Sequence, residues 1–417
     1  MLFAPLLAAI AAPPRSISWW WSAPYMSADD PGVDGLLAFA KAHTNIVSTV
    51  IMHCGVVTCQ TNYSTPRSHR TCNNGTLGKL TGNMSAACLR AMPELAKLGV
   101  RSELWLGEDD SYASAQYLFA HPRETAADLL ALAAAHPHLS GFNYDPEPGG
   151  GNATDVANLA AFLDTVTQAL RPKKLRFTVD VGCNDGKRDC MTCDCKTLSR
   201  SGVDRVMNMH TYNAMSYEEW IYSRAEPATA VSPLDHLGMG LGCWIDDRTN
   251  GTWAVTAASA AQRICYAMNR SVQELAFFRL NQDATEPAKA FPEPFWIPHL
   301  ERYMAGGGCE LQLPKKTVCP TATVGPPDSW YAGGDAPHCC ISSAARAGGS
   351  HCNKSCAQAE CAATPDMHWQ PENYSTHPYE CCRNDGGDGD GAAAAPARRA
   401  LFAPPPSLRS RRAALEI

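Results

Sequence analysis

Between residues 17 and 304 the chain alternates short apolar runs of strand length with longer segments in which apolar side chains return at helical spacing. The runs are ISWWW from Ile17, NIVSTVIM from Asn45, RSELWLG from Arg101 and LSGFNYD from Leu139, followed by LRFTVDV from Leu175, VDRVMNMHTY from Val203, HLGMGLGCW from His236 and QELAFFRL from Gln273. Between them lie AACLRAMPELAKL, ETAADLLALAAAH, DVANLAAFLDTVTQAL and AVTAASAAQRICYAM, which are good helix formers. This is the pattern of repeated βα units around a parallel sheet, and eight such units close into a (β/α)8 TIM barrel of the α/β class. The barrel is expected over residues 16–305.

Two stretches interrupt the short-loop rule. From Cys54 to Cys88 the chain is rich in Asn, Gly, Thr and Cys, and reads as a surface excursion tied by Cys54, Cys59, Cys72 and Cys88. After the fifth run, Cys183, Cys190, Cys193 and Cys195 crowd together; their spacing suits zinc or disulfides, and an exported chain favours disulfides. Residues 306–382 lose periodicity and carry closely spaced cysteines, which predicts a small Cys-rich, disulfide-stabilised C-terminal module. Its Trp330, Tyr331, Trp369 and Tyr374 suit either a thin core or a carbohydrate-binding face. Residues 383–417 have low complexity and are expected to form a disordered tail.

Composition narrows the setting. Charged residues make up 18% and the formal net charge is -6, so no basic field invites nucleic acid or an anionic membrane. The start, MLFAPLLAAIAAPPRS, is an apolar run of signal-peptide length, and residues 1–15 are read as a signal peptide. The run is far shorter than the roughly 20 apolar residues that span a bilayer. Nineteen cysteines and acceptor motifs at Asn62, Asn74, Asn83, Asn152, Asn250, Asn269, Asn353 and Asn373 both point to a secreted or lumenal glycoprotein. The cysteine count is odd, so at least one thiol lacks a partner within the chain.

In a barrel of this kind the chemistry sits at the C-terminal ends of the strands. Those ends carry His53, Glu108, Asp109, Asp110, Asp145, Glu147, Asp180, His210 and Tyr212. The strongest local pattern is SGFNYDPEP, in which Asn143, Asp145 and Glu147 alternate and so share one face, directed into the top of the barrel. Two carboxylates placed side by side compete for a proton, which is how a carboxyl becomes a general acid near neutral pH. Pro146, between them, fits a strand that is leaving its ladder. Among the tryptophans of the strand ends, Trp21 and Trp244 are candidates for stacking on sugar rings; the others, Trp19, Trp20 and Trp105, include packing residues, because successive side chains face opposite ways.

GFNYDPE resembles the strand-four signature of glycoside hydrolase family 18, the chitinases and chitobiase-like relatives. The resemblance implies hydrolysis of links at N-acetylglucosamine in chitin or chitobiose-type oligosaccharides. Glu147 would protonate the leaving oxygen. Asp145 would orient the substrate acetamido group and stabilise the oxazolinium ion that forms as the acetamido oxygen attacks, a substrate-assisted route to retention. MNMHTYN resembles the Met-x-Tyr-Asp segment of strand six, so Tyr212 would hold the acetamido oxygen, with Asn213 in place of the family's Asp. Asn143 and Asp180 would line the sugar site. The sequence departs from the family at Ser140, in place of the outer acid, and at strand eight, where AFFRLNQ has no tryptophan.

Three rival readings remain open at this level. A metal-dependent barrel hydrolase would use His53, Glu108, Asp180 and His210, although strand one lacks the paired histidines usual at such sites. A different glycosidase chemistry would pair Glu147 with Asp180 or Glu108. A catalytically inactive chitinase-like lectin would keep the groove without turnover. The family-like reading calls for no cofactor and no metal; its partner is an oligosaccharide or glycan.

Overall fold

The computed structural model describes residues 15–56, 80, 82–107, 112–147, 151–183, 192, 194–212, 217–232, 234–243, 255–280, 294–314, 339–340 and 380–381. The signal-peptide reading falls outside these residues but for Arg15, and the tail, Glu108, Asp109, Asp110, Asn213 and Trp244 lie outside them altogether. So do Cys59, Cys72, Cys190 and Cys193 and the acceptors Asn62, Asn74, Asn250, Asn353 and Asn373, whereas Asn83, Asn152 and Asn269 are exposed.

Each of the eight apolar runs contains a strand, and the strands form one closed parallel barrel in sequence order. They are β1 Ser16–Ser22, β2 Thr49–His53, β3 Arg101–Gly107, β4 Gly141–Asp145, β5 Arg176–Val181, β6 Arg205–Asn208, β7 Leu237–Gly242 and β8 Glu274–Phe278. The barrel closes through β8, which pairs with β1 from Ser16↔Glu274 to Trp19↔Phe277. Strand six is shorter than its apolar run. The Asn208 side chain accepts the His210 backbone N–H at 3.0 Å, and Met209–Thr211 form a short 3-10 turn.

Helices α1 Pro31–Ala42, α2 Ala86–Lys97, α3 Tyr112–Ala120, α4 Pro122–Ala135 and α5 Ala153–Leu170 cover the first half of the barrel. Short α6 Cys195–Leu198, α7 Tyr217–Trp220 and α8 Glu226–Val231 precede α9 Ala257–Asn269 and α10 Trp296–Met304. Side chains at their starts hold the otherwise unpaired N–H groups. Asp30 caps α1, Ser85 caps α2 and Thr256 caps α9, while Asn152 and Asp155 form a reciprocal capping box on α5. Disulfides Cys54–Cys88, Cys183–Cys195 and Cys265–Cys309 cross-link this unit. Cys309, which the sequence groups with the C-terminal module, is therefore bonded to a barrel helix. Among the described residues Cys243 is a buried free thiol. Of residues 319–417, a two-stranded antiparallel ladder, Cys339–Cys340 with Glu380–Cys381, is described.

Alternation along the strands sorts side chains into two environments. Ile17, Trp19 and Trp21 of β1 join the apolar layer between sheet and helices. Trp19 stacks on Phe277 at 4.5 Å and meets Phe39 of α1 edge-on at 5.2 Å. Trp21, expected at the sugar site, is 1% exposed in this same layer, so its parity makes it core. The inward side chains of β1 are instead Ser18 and Trp20. Ser18 bonds Glu274 across the barrel seam.

The inner wall carries buried charge in compensated form. Arg176 pairs with Glu103 at 2.9 Å and with Glu274, and Thr178 donates to Glu103 at 3.1 Å. Burial alone would raise the Glu274 carboxyl, but Arg176, Ser18 and Arg205 outweigh it and bring it down to about 2. For Glu103 burial wins over Arg176, and its carboxyl is raised. No described helix is long and apolar enough to cross a membrane.

Candidate active site

The acidic strand lies as its alternation requires. In β4, Phe142 and Tyr144 enter the apolar layer, while Gly141, Asn143 and Asp145 face inward. Asn143 is fully buried, and its Nδ2 donates to Thr178 Oγ1 at 2.9 Å and to Asp180 Oδ1 at 3.1 Å. Asp145 is half-buried at the last ladder position, opposite Gly107. Pro146 follows beyond the ladder, where a missing N–H removes no sheet bond. Glu147 is exposed. The charges of Asp145 and Glu147 both act on Asp180 and Tyr212, which gathers these four groups at the C-terminal mouth.

Asp145 is oriented from the neighbouring strand. Trp105 of β3 donates its Nε1–H to Asp145 Oδ2 at 3.0 Å. The indole lies across its own strand end, because Gly107 has no side chain: a Cβ there would fall 2.1 Å from the Trp105 ring. His53 of β2 packs on the same indole at 4.3 Å, and its Nδ1 is 3.1 Å from Ser22 Oγ. A contiguous line thus runs Ser22, His53, Trp105, Asp145 across β1 to β4.

Asp180 is the buried acid beneath. It is fully buried, and its carboxyl is raised well above the ordinary value, first by burial and then by the Asp145 charge. The Asn143 amide opposes that rise without cancelling it. Asp180 Oδ2 is buried and has no hydrogen-bond partner among the described residues. The sequence places the competition for a proton between Asp145 and Glu147; in the structure the buried acid that competes with Asp145 is Asp180.

Tyr212 closes the other side. Its ring stacks on Phe278 of β8 at 5.3 Å, and Phe278 in turn meets Trp20 at 5.6 Å. Gly240 of β7 makes the room, since a Cβ there would lie 2.2 Å from the Tyr212 ring. The hydroxyl is buried without a hydrogen-bond partner among the described residues. Burial, followed by the charges of Asp180 and Asp145, raises its ionisation well above the usual phenol range, so near neutrality it is an O–H donor.

Of the residues expected at the site, Asn143, Asp145, Glu147, Asp180 and Tyr212 come together at one end of the barrel, and Trp21 does not. Asn143 and Asp180 are too enclosed to meet a sugar directly and bond each other instead. Trp105, Trp20, His53 and Phe278 also belong to the mouth; strand-end position already marks Trp105, Trp20 and His53 in the sequence, whereas Phe278, at the end of strand eight, carries no such mark. Among the described residues no group of three or more His, Cys, Asp or Glu side chains could hold a metal ion.

Compared as a sequence, the chain matches no protein-family model and no curated protein. Compared as a structure, it is similar to a class V chitinase from Pseudomonas fluorescens Pf-5, with TM-score 0.50 and 12% identity over 70% of this chain and 99% of that one. A chitinase from Chromobacterium violaceum aligns with TM-score 0.48 and 13% identity over 70% and 99% of the two chains. A Group IV chitinase from Ostrinia furnacalis, solved with allosamidin, gives 0.49 and 9% over 71% and 100%. The solved structures similar to this chain include chitinases and spore cortex-lytic enzymes, and what the likeness shows is the shared eight-stranded parallel barrel.

Proposed function

We propose that this chain is a secreted glycoside hydrolase that cleaves bonds at N-acetylglucosamine residues of oligosaccharides by substrate-assisted retention. The observation that carries the reading is the pairing at the mouth of a carboxylate held by a tryptophan, Asp145 on Trp105, with a buried and unspent Tyr212 hydroxyl. An acetamido group offers one N–H donor and one carbonyl acceptor, and these two side chains supply the complementary acceptor and donor. The disulfides of the barrel unit fit an oxidising compartment.

In this mechanism Asp145 takes the acetamido N–H, and Tyr212 donates to the carbonyl oxygen and aims it at the anomeric carbon. Glu147, exposed at the rim, gives its proton to the leaving glycosidic oxygen as the acetamido oxygen closes on the anomeric carbon. Asp145, ionised, stabilises the positive oxazolinium ring. Glu147 then removes a proton from the water that opens the ring, and the configuration is retained. Asp180 stays protonated beneath, which spares Asp145 a second negative charge, and Asn143 acts by holding Asp180. Trp20, Trp105 and Phe278 offer flat faces to the apolar C–H side of a sugar ring.

The test is the wild type against Glu147→Gln on chitooligosaccharides and on N-glycan-type substrates. Hydrolysis by the first and none by the second supports the class and the acid together; equal activity removes Glu147 from the mechanism.

A further inference from the structure

The barrel has a second polar opening, at the end opposite Asp145. A cavity of about 630 Å³ is lined by residues at or just before the starts of β1, β2, β3, β5 and β6. Its lining holds four guanidinium groups, Arg15, Arg101, Arg176 and Arg205, and one carboxylate, Asp204.

The hydrogen bonds leave these cations under-used. Arg176 gives Nη1 to Glu103 and Glu274 and Nη2 to Glu274, and Asp204 accepts the Phe177 backbone N–H at 2.8 Å. Arg101 commits Nε to Thr49 at 3.0 Å, and its two terminal amino groups make no hydrogen bond among the described residues. Arg205 gives Nη1 to the Asp204 and Asp235 carbonyls, 2.8 Å each. Its Nε is buried without a hydrogen bond, 3.4 Å from Glu274. Arg15 uses only Nη1, on the Tyr303 carbonyl at 2.8 Å. N–H donors on Arg15, Arg101 and Arg205 therefore line one open cavity, and like charges held together in this way repel unless an anion joins them. Planar guanidinium forks match the paired oxygens of a tetrahedral oxyanion.

We propose that this cavity at the N-terminal end of the barrel binds a phosphate-type oxyanion, free or carried on a small sugar. The site shares no residue with the acidic mouth and stands whether or not the hydrolase reading does. The test uses the full chain and titrates inorganic phosphate at constant ionic strength, with chloride as the balancing salt, following thermal unfolding and binding heat. The expected result is a saturable rise in unfolding temperature. Arg101→Gln should weaken binding by roughly tenfold, about the value of one charge-assisted contact, and Glu147→Gln should leave it unchanged. Arg205→Gln provides the second variant, with circular dichroism to verify that each variant is folded. A phosphorylated N-acetylglucosamine that binds tighter than phosphate identifies a sugar phosphate as the ligand, and equal affinity identifies the free oxyanion; both uphold the site. A response that does not saturate, is matched by chloride, or is the same in both folded arginine variants overturns it.

Discussion

Trp105 donates its indole N–H to the Asp145 carboxylate across 3.0 Å, joining the ends of two adjacent strands. A hydrogen bond to an ionised acceptor is worth about 1.5–3 kcal/mol, and it favours the charged form. Trp105→Phe keeps most of the ring and removes this donor. Its kcat is expected to fall by roughly tenfold to a hundredfold. The acid limb of its pH–rate profile should move to higher pH, because a carboxylate that loses a donor holds its proton more tightly. A drop in rate with an unmoved profile would show that Trp105 acts by packing alone.

Asp180 makes stability depend on pH in a defined direction. Its folded carboxyl is raised well above the ordinary value of 3.8, so the native state binds a proton that the unfolded chain has released. Stability contributed in this way is complete below the unfolded value and is lost as pH rises through the folded one. Asp180→Asn should therefore unfold in urea with a flatter pH dependence than the wild type and be the more stable near neutrality. Identical slopes from acid to neutral pH would contradict the burial argument.

Glu274 behaves in the opposite sense. Its carboxyl is brought down to about 2 by Arg176, Ser18 and Arg205, so its contribution is present above the ordinary value of 4.5 and fades as pH falls toward 2. Glu274→Gln leaves the buried Arg176 with one partner fewer, and the expected loss is about 3–5 kcal/mol in denaturant unfolding. A loss below about 1 kcal/mol would mean that Arg176 readily finds other partners.

The two adjacent tryptophans of β1 should separate packing from recognition. Trp21→Ala opens a hole in the apolar layer and should cost about 3–5 kcal/mol, with KM little changed in the molecules that remain folded. Trp20→Phe alters the inner wall next to Phe278 and Trp105, and its effect should appear in KM for oligosaccharides. The reverse pattern would assign the faces of β1 the other way.

Gly240 tests the position of Tyr212. A methyl group at this residue would lie 2.2 Å from the ring and 2.5 Å from the Asn208 carbonyl oxygen, so both the ring and the neighbouring strand backbone must shift. Gly240→Ala is expected to fold and to lose most of its activity toward N-acetylated substrates. Full activity in this variant would remove Tyr212 from the reacting geometry.

Much of this barrel is legible in the sequence, and the reason is physical. Each strand must bury apolar side chains against helices, which writes eight countable runs, and period-two alternation alone is enough to place Asn143 and Asp145 on one face. Which face of a strand points inward is another matter. The parity of β1 follows from Ser18 meeting Glu274, a contact between residues 256 apart, and no local pattern announces it, so the sequence marks Trp21, which lies in the apolar layer, rather than the inward-facing Trp20. The grip of Trp105 on Asp145 needs the register of β3 against β4 and the missing side chain of Gly107. The proton competition of Asp180 depends on burial, which strand-end chemistry alone does not reveal. The run Arg205–Tyr212 reads as continuous strand, but an asparagine cap at Asn208 ends it and turns Tyr212 over the mouth.

In the proposed mechanism the substrate's own acetamido group, held between Asp145 and Tyr212, is the nucleophile. The most direct measurement follows an N-acetylglucosamine oligomer and its fully de-N-acetylated counterpart by proton NMR during turnover. The expected result is cleavage of the acetylated oligomer with the anomeric configuration retained in the first product, and no cleavage of the other. Inversion, or comparable rates on both, would contradict it.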